Sequence, residues 1–541
     1  MIVLGINGGF RQGYQDVSAC LIENGEIVAA VEEERLNRIK FSAGRLPFLS
    51  VKEVLEIASR SFEDIDLIAF HGSTWGDEIQ NRLEDYFINH FGSCPEFKRY
   101  HHHDCHAASA FCASGFDEAL VLTMDNSGDG ISLQLMLGKG KKLELIERFA
   151  RPDSLGLFYQ VITQYCGFVK DSDEYKVMGL ASYGNSERFD FSWLIDFQDG
   201  RLCINKAFII VPQVGAPSLH KDEMVFTPLF LEKMGQGRRL PKSPLSSFYK
   251  DVAASAQAHL EKVVLKIIGH YMNLYQQEKL CLAGGIALNC VMNQQIMNAA
   301  LVKDLYIQPA AGDAGISLGA AYLGSIEKGV PPQGMASVYL GKAYDANDIE
   351  SMLKVCGIKY QYISEIEEYT AKALAEGKIV AWHQGRMEYG PRALGNRSIL
   401  ANPTIQGMQD KVNKRVKFRE SFRPFCPSVL EEDRSLYFVG KKDAAPHMTI
   451  TYDVNEYGRK SIPAVTHVDQ TARIQTVNRG QNERFYKLLL ALKKITGHGV
   501  VMNTSLNLSH EPIVCTPRDA LSTFFASGMD LLVIDNFLIE K

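Results

Sequence analysis

Two histidines four residues apart give the chain its sharpest chemical feature. They stand in Tyr100-His101-His102-His103-Asp104-Cys105-His106, and the residues after them, Ala107 to Ala113, are small and helix-compatible. On a helix His102 and His106 share one face. Two imidazoles at that spacing can chelate one divalent ion, and imidazole suits iron, zinc, nickel or copper. The competing reading is a solvated polar turn with Asp104 as a helix cap. Two aspartates favour the metal. Asp125 follows the apolar strand Ala119 to Met124 and precedes the turn Asn126-Ser127-Gly128-Asp129-Gly130. Asp313 lies in Pro309-Ala310-Ala311-Gly312-Asp313-Ala314-Gly315, a second strand-end loop. A carboxylate at a strand end projects into the cleft where α/β folds bind ligands. Taken alone, either aspartate is an ordinary turn former.

Three glycine-bearing loops accompany this set: Gly5-Ile6-Asn7-Gly8-Gly9, Ser127-Gly128-Asp129-Gly130 and Gly284-Gly285-Ile286-Ala287-Leu288-Asn289. Glycine lets backbone amides approach phosphate oxygens, and a following helix N-terminus favours the anion. One such loop is weak evidence; three in order, each after a strand, suggest a nucleotide cleft. No Walker A or Rossmann fingerprint is present. Farther on, Gln384 to Ile399 sets Arg386, Arg392 and Arg397 among glycines. Lys417, Arg419 and Arg423 follow, then His467-Val468-Asp469 with Arg473, then Asn503-Thr504-Ser505-Leu506-Asn507. Arginine forks match phosphate and carboxylate oxygens bidentately. Cations converging from distant segments imply a small polyanionic ligand. The competing reading is salt bridging on a solvated face.

The elements that must position these residues follow an α/β pattern. Val17 to Glu23 and Glu26 to Val31 flank Asn24-Gly25, a hairpin signal. A long amphipathic helix is predicted over 246–276, a short strand over 280–283 and helices from Ile349 to Val355 and from about Glu365 to Glu376. Ser364 with Glu367 fits a capping box at the start of the last. A strand is predicted from Lys378 to Trp382. Turn-rich connections between Lys328 and Asn347 suggest a domain boundary.

Composition bounds the class. The chain has 541 residues, enough for two domains or three. It is 46% hydrophobic and 22% charged, as soluble globular proteins are. A net charge of −5, from 58 basic and 63 acidic side chains, shows no basic excess of the kind that advertises nucleic-acid binding. No 18-residue apolar run marks a membrane span, and no signal peptide is evident. The eleven cysteines include no Cys-x-x-Cys pair, so reduced thiols in a cytoplasmic protein are expected.

The ordered set of motifs resembles the O-carbamoyltransferase family of the nodulation-protein and tobramycin-carbamoylating type. The His-x-x-x-His pair His102 and His106, the strand-end Asp125, and Asp313 in Gly-Asp-Ala-Gly each match a family motif. Asp173-Glu174-Tyr175-Lys176-Val177-Met178-Gly179-Leu180-Ala181 resembles a further family block. Gly385-Arg386-Met387-Glu388-Tyr389-Gly390-Pro391-Arg392-Ala393-Leu394-Gly395-Asn396-Arg397-Ser398 is the most specific match, and the resemblance spans nearly the whole chain. It implies an actin-like ATPase (ribonuclease H-like) duplicated domain over 1–345, followed by a YrdC-like α/β domain over 346–541.

The resemblance also implies the chemistry. The second domain would bind carbamoyl phosphate and ATP through Arg392, Lys417, Arg423, Arg473, Asn503 and Ser505, and make carbamoyl-adenylate. The first would bind the nucleotide through Gly128, Gly284, Gly285 and Asn289. There a metal on His102, His106, Asp125 and Asp313 would assist transfer to a hydroxyl of a small-molecule acceptor. The family metal is iron, so Fe(II) is expected, while the residues alone admit other divalent ions; Mg(II) would accompany ATP. A homodimer is a family-level expectation, and no nucleic-acid or membrane partner is expected. Many relatives carry His before Asp in the first hairpin, where this chain has Gln15-Asp16. Glutamine cannot act as a base near neutral pH, so either that His is dispensable or another group, such as His103 or a metal ligand, serves here. Leu508-Ser509-His510 departs from the family where glycine is usual. Two other functions fit parts of the pattern: a tRNA threonylcarbamoyl-modifying enzyme, disfavoured by the charge, and a nucleotide-switched binding module, which would not need the arginine block.

Overall fold

The computed structural model describes residues 1–9, 16–211 and 223–541. Gln15 lies outside them. Contacts divide the chain into two compact units. One comprises Met1–Val28, Ala43–Val51 and Ala58–Met335; the other comprises Ala29–Ser42, Lys52–Ile57 and Ala336–Lys541.

Two five-stranded sheets carry the first unit among its described residues; the last four residues of the first sheet's edge strand, Ala29–Glu32, fall in the second unit. One is built from β1 (Ile2–Asn7), β2 (Ser18–Glu23), β3 (Glu26–Glu32), β4 (Leu67–Phe70) and β5 (Glu96–Arg99), in the order β3-β2-β1-β4-β5. β1 is antiparallel to β2 and parallel to β4, which is parallel to β5. The predicted Asn24-Gly25 hairpin is present. The chain then forms β6 (Glu118–Gly128), β7 (Ile131–Lys139), β8 (Lys142–Ala150), a small hairpin of β9 (Ile195–Gln198) and β10 (Arg201–Ile204), β11 (Lys279–Ala283) and β12 (Asp304–Ile307). The second large sheet has the order β12-β11-β6-β7-β8, with β6, β7 and β8 antiparallel and β6, β11 and β12 parallel. Each sheet is therefore an antiparallel meander followed by two parallel strands on the far side of its first strand. One plan is used twice.

The small residues after the histidines explain where their helix lies. Ala107, Ala110 and Phe111 of the helix His102–Ser114 are buried against Ala119 and Val121 of β6 and Cys281 and Ala283 of β11. Alanine lets the helix sit close to the sheet and fixes which face carries His102 and His106. The predicted long helix spans Ser247–Leu274.

In the second unit an eight-stranded mixed sheet runs β13-β23-β22-β14-β15-β21-β16-β20. Its strands are β13 (Gln361–Tyr362), β14 (Val380–His383), β15 (Arg397–Ala401), β16 (Cys426–Leu430), β20 (Gln475–Val477), β21 (Val500–Ser505), β22 (Leu531–Ile534) and β23 (Phe537–Glu540). A three-stranded sheet holds β17 (Phe438–Val439), β18 (Thr451–Val454) and β19 (Thr471–Arg473). Leu374 of the helix Ile366–Ala375, Trp382 of β14, and Phe485, Leu488 and Leu492 of the helix Glu483–Thr496 share one core. The capping box expected from Ser364 and Glu367 does not form. The cap residue is Glu365, with no side-chain cap bond, and Glu367 instead accepts from Arg484 Nε at 2.7 Å. An ion pair with a neighbouring helix outcompetes the local cap.

None of the described cysteines is in a disulfide. Among the described residues no helix is long and apolar enough to cross a membrane.

Candidate functional site

The two histidines and two aspartates converge in the first unit. One donor atom from each of His102, His106, Asp125 and Asp313 lies within 4.8 Å of the others. His106 Nε2 is 3.3 Å from Asp125 Oδ2 and 3.5 Å from Asp313 Oδ1; His102 Nε2 is 3.6 and 3.7 Å from the same two atoms. Both histidines are buried, while the aspartate side chains retain 17% and 33% exposure, so the quartet opens to solvent on the carboxylate side. His102 Nε2 is buried with no hydrogen-bond partner. An orphaned imidazole nitrogen beside two carboxylates is a donor set that fits a cation. These donors suit a divalent first-row metal, with coordination positions left for a substrate.

Each ligand is placed by an identifiable device. Asp125 was expected just beyond the end of its strand. Instead β6 continues to Gly128 through a register shift against β7 between Met124 and Gly128. Such a bulge re-aims a side chain without ending the strand. The Asp125 carboxylate accepts from the Asn126 amide at 2.7 Å, and Ser154 Oγ donates to the Asn126 carbonyl at 2.9 Å. Asp313 opens the short turn Asp313–Gly315 ahead of the helix Ile316–Glu327, and Asn7 Nδ2 donates to its carbonyl at 2.9 Å. The amide of His102 donates to Asp129 Oδ2 at 3.0 Å, and Thr74 Oγ1 donates to Asp129 Oδ1 at 2.9 Å. Asp104 is not the cap. Its carboxylate accepts from Gln134 and Arg148, and His101 caps the helix by accepting from the His103 amide.

The charges reinforce one another. Burial alone would depress His106, but Asp125 and Asp313 outweigh it and push the imidazole up to about 9. Burial opposes ionisation of Asp125, yet His102 and His106 hold it well below the usual carboxylate range. His103 has both ring nitrogens engaged. Nε2 donates to the Ile131 carbonyl at 3.0 Å, which leaves Nδ1 to accept from Thr123 Oγ1 at 2.7 Å. Burial holds it well below the usual histidine range. That is a core histidine, poorly placed to act as a base.

Two of the glycines also have packing roles. A Cβ on Gly128 would overlap the His102 ring, so this glycine clears space for a candidate ligand. Gly284 has φ +89° and its amide donates to the Ala311 carbonyl at 2.8 Å, tying the loop after β11 to the loop after β12. Gly285 follows beside Asp125. Asn289 caps the helix Cys290–Asn298 through the Met292 amide and exchanges amide bonds with Gln257, which also accepts from Tyr159. Gly128→Ala is expected to lower metal affinity by about 10–100-fold, the usual cost of disturbing a ligand's support. Metal analysis of folded protein after dialysis checks it.

Glu174, in the matched 173–181 block, is half-buried and pushed up to about 7, first by burial and then by Asp171. The unfolded carboxyl titrates near 4.5, so the folded state loses stability as pH rises through that window, and the penalty is complete above about 7. Glu174→Gln should therefore raise the melting temperature at pH 8 by about 2–4 °C and leave it unchanged at pH 4, as calorimetry would show.

In the second unit, Lys417 is 6% exposed. Its Nζ donates to the Ser505 carbonyl at 2.6 Å, the Asn507 carbonyl at 3.0 Å and Asn507 Oδ1 at 2.9 Å. Burial, then Arg419 and Arg423, hold its ammonium well below the usual lysine range. Arg473 Nε and Nη2 donate to Cys426 Sγ at 3.1 and 3.0 Å. Cys426 faces Asn503 across the β16–β21 ladder. Asn503 Nδ2 donates to Ser428 and Gln475, while its Oδ1 is buried without a partner. Lys417, Arg423 and Ser505 thus form one group, and Arg473 and Asn503 flank β16. Arg392 is half-buried on the loop before β15. Lys417 lies close to Arg419 and Arg423 beside the end of β21, a local concentration of cations suited to a small polyanion.

Three residues near these groups carried no functional signal in the sequence. His71 lies with its ring centroid 5.6 Å from that of His102. Asn7 stood in the first glycine loop but drew attention only as part of it. Cys426 reads as one buried thiol among eleven.

The comparisons with known proteins agree with this division. A family model described as Carbamoyltransferase N-terminus matches residues 90–322, and one described as Carbamoyltransferase C-terminus matches residues 371–541. Nodulation protein NolNO of Sinorhizobium fredii is 36% identical, covering 100% of this chain and 83% of its own. Nodulation protein NolO of Bradyrhizobium diazoefficiens is 38% identical, covering 81% of this chain and 78% of its own. Among solved structures, full-length HypF in a phosphate- and nucleotide-bound form has a TM-score of 0.34 and 15% identity, covering 60% of this chain and 46% of that one. A likeness that low carries no argument about fold.

Proposed function

The chain belongs to the carbamoyltransferase family, and from that premise we propose an ATP-dependent O-carbamoyltransferase that works through carbamoyl-adenylate. It acts in the cytoplasm on a hydroxyl of a small-molecule acceptor, a natural product or sugar, with no nucleic-acid partner. The observation that carries the reading is the coexistence of a two-histidine, two-carboxylate cluster with buried imidazoles in one unit and a buried lysine beside arginines in the other. The repeated strand order of the first unit supports an actin-like, duplicated plan there; the second is assigned a YrdC-like one.

In the second unit Arg392, Lys417, Arg423 and Arg473 neutralise two phosphorylated substrates. Water cleaves the mixed anhydride of carbamoyl phosphate, giving carbamate and phosphate. A carbamate oxygen then attacks the α-phosphorus of ATP, which accompanies Mg(II), and pyrophosphate leaves. Most of the work is positioning and charge stabilisation in a site that admits the one reacting water and shields carbamate and the adenylate from bulk solvent. Asn503 and Ser505 orient polar edges of the ligands.

In the first unit Asn289, Gly284, Gly285 and Gly128 line the nucleotide side, and an acceptor hydroxyl attacks the carbamoyl carbon with AMP as leaving group. His102, His106, Asp125 and Asp313 would hold a divalent metal, assigned as Fe(II), which supplies Lewis acidity at the carbonyl when bound. Asp125 and Asp313 also keep His106 charged until that site fills.

The test omits any acceptor. Purified protein with ATP and carbamoyl phosphate should release pyrophosphate only when both are present. Release without carbamoyl phosphate, or none at all from folded, iron-loaded protein, would contradict the proposal.

A further inference from the structure

The arginine block of the second unit is gripped by two buried charges from far earlier in the chain. Glu32 ends β3, and Arg35 lies in the short helix Glu33–Asn37 that follows. Their relative exposures are 4% and 3%. The Gly390 amide donates to Glu32 Oε1 at 2.7 Å, and Arg35 Nη2 donates to the Gly390 carbonyl at 2.9 Å. The two charges face each other at 3.5 Å, and Arg35 also pairs with Glu34 at 3.2 Å. Gly390 has φ +114°, a conformation that favours glycine. Glu388 closes the other end of the same loop, its Oε1 accepting from the amides of Leu394 at 2.7 Å, Asn396 at 2.8 Å and Arg397 at 3.2 Å. Arg392 is the side chain between these two staples.

Such an arrangement is a poor way to gain stability. Buried ion pairs are weak stabilisers, because desolvation offsets the attraction. Glu32 Oε2 and Arg35 Nε are left buried without hydrogen-bond partners. Both groups instead direct their good bonds to the two peptide groups that flank one residue, Gly390, two positions before Arg392. A bidentate arginine contact needs its backbone fixed to a fraction of an ångström.

We propose that Glu32 and Arg35 are positioning residues that clamp the Gly390 backbone and thereby present Arg392 to carbamoyl phosphate. The inference rests on the adenylation reading above. Burial, only partly countered by Arg35, raises the Glu32 carboxyl, and Glu32 and Glu34 keep Arg35 charged. The clamp is therefore one hydrogen-bonded unit and should fail when both members are removed.

The test uses the full chain. The double variant E32M/R35M removes both charges together, and Glu34, which loses Arg35, keeps Lys40 at 3.4 Å and the Phe41 amide at 2.6 Å, so no unpaired ion stays buried and folding is retained. E32Q keeps an acceptor for the Gly390 amide. Hydrogen exchange of a peptide spanning 388–397 should accelerate about tenfold or more in E32M/R35M and stay near wild type in E32Q. In the pyrophosphate assay, the KM for carbamoyl phosphate should rise about tenfold in the double variant, with kcat and the KM for ATP within about threefold, and E32Q should restore it. A merely structural role would lower the active fraction and leave KM unmoved. A folded double variant with unchanged exchange overturns the clamp. Faster exchange with an unchanged KM overturns its link to Arg392. A wild type that releases no pyrophosphate overturns the adenylation reading and the ligand named here, and the exchange result still decides the clamp.

Discussion

His106→Ala should lose its metal and its carbamoyl delivery while still releasing pyrophosphate from ATP and carbamoyl phosphate. His106 touches both carboxylates, at 3.3 and 3.5 Å, and is fully buried, so no neighbouring side chain replaces it. Losing even an outer-shell partner costs about 10–100-fold in metal affinity or activity, and a direct ligand costs more. Asp125→Asn should behave alike, because it removes the charge that faces both histidines. The measurement is AMP formed per pyrophosphate released, with a panel of sugar and aminocyclitol alcohols as acceptors. In the variants AMP should fall far behind pyrophosphate. Equal loss of both products would place the quartet in the first half-reaction instead and break the proposed division of labour.

Lys417→Met should do the opposite and stop pyrophosphate release at its source. Its ammonium is the buried cation that bridges the Ser505 and Asn507 carbonyls at 2.6 and 3.0 Å. Removing it takes that donor from both carbonyls, although the Ser505 carbonyl keeps the Asn507 amide at 3.0 Å, and takes one charge from the anion site. Losing a preorganised donor of this kind typically costs about 10²–10³ in kcat. The side chain also sets a pH dependence. Burial and the two arginines favour its neutral form, so the cation is lost as pH rises through the lowered pKa. An arriving phosphate favours the cation and draws a proton onto it. The KM for carbamoyl phosphate should therefore rise with pH, and the variant should lack that slope. Steady-state kinetics across pH, with the metal site intact, checks both. Lys417→Met with wild-type pyrophosphate release would remove this residue from the reaction.

Much of the candidate site was legible because its signals are local. The i,i+4 spacing of His102 and His106 needs only a helix, and the run of alanines behind them says which face is buried. Asp125 after an apolar run needs only a strand. What stayed hidden depends on non-local pairing. The set including Asp313 came from its strand-end loop and the family resemblance; its physical reason, β11 lying between β6 and β12, is a neighbour relation no window of sequence contains. Glu32 and Arg35 read as part of a charged stretch, and nothing near them names Gly390 as their partner. Gly128 was legible as a required glycine but for another reason: the crowding is from the His102 ring. Glu367 satisfied a capping rule on paper, yet Arg484, over a hundred residues later, took its carboxylate. The duplication in the first unit came only through the family resemblance, since the two meanders share a plan and not a motif.

The most direct test of the account is mass spectrometry of the reaction intermediate in metal-stripped protein. With ATP and ¹³C-labelled carbamoyl phosphate, carbamoyl-adenylate carrying the label should accumulate alongside pyrophosphate, and restoring Fe(II) with a hydroxyl acceptor should discharge it to AMP. Pyrophosphate without the labelled adenylate, or a labelled product formed at full rate with no metal present, would contradict it.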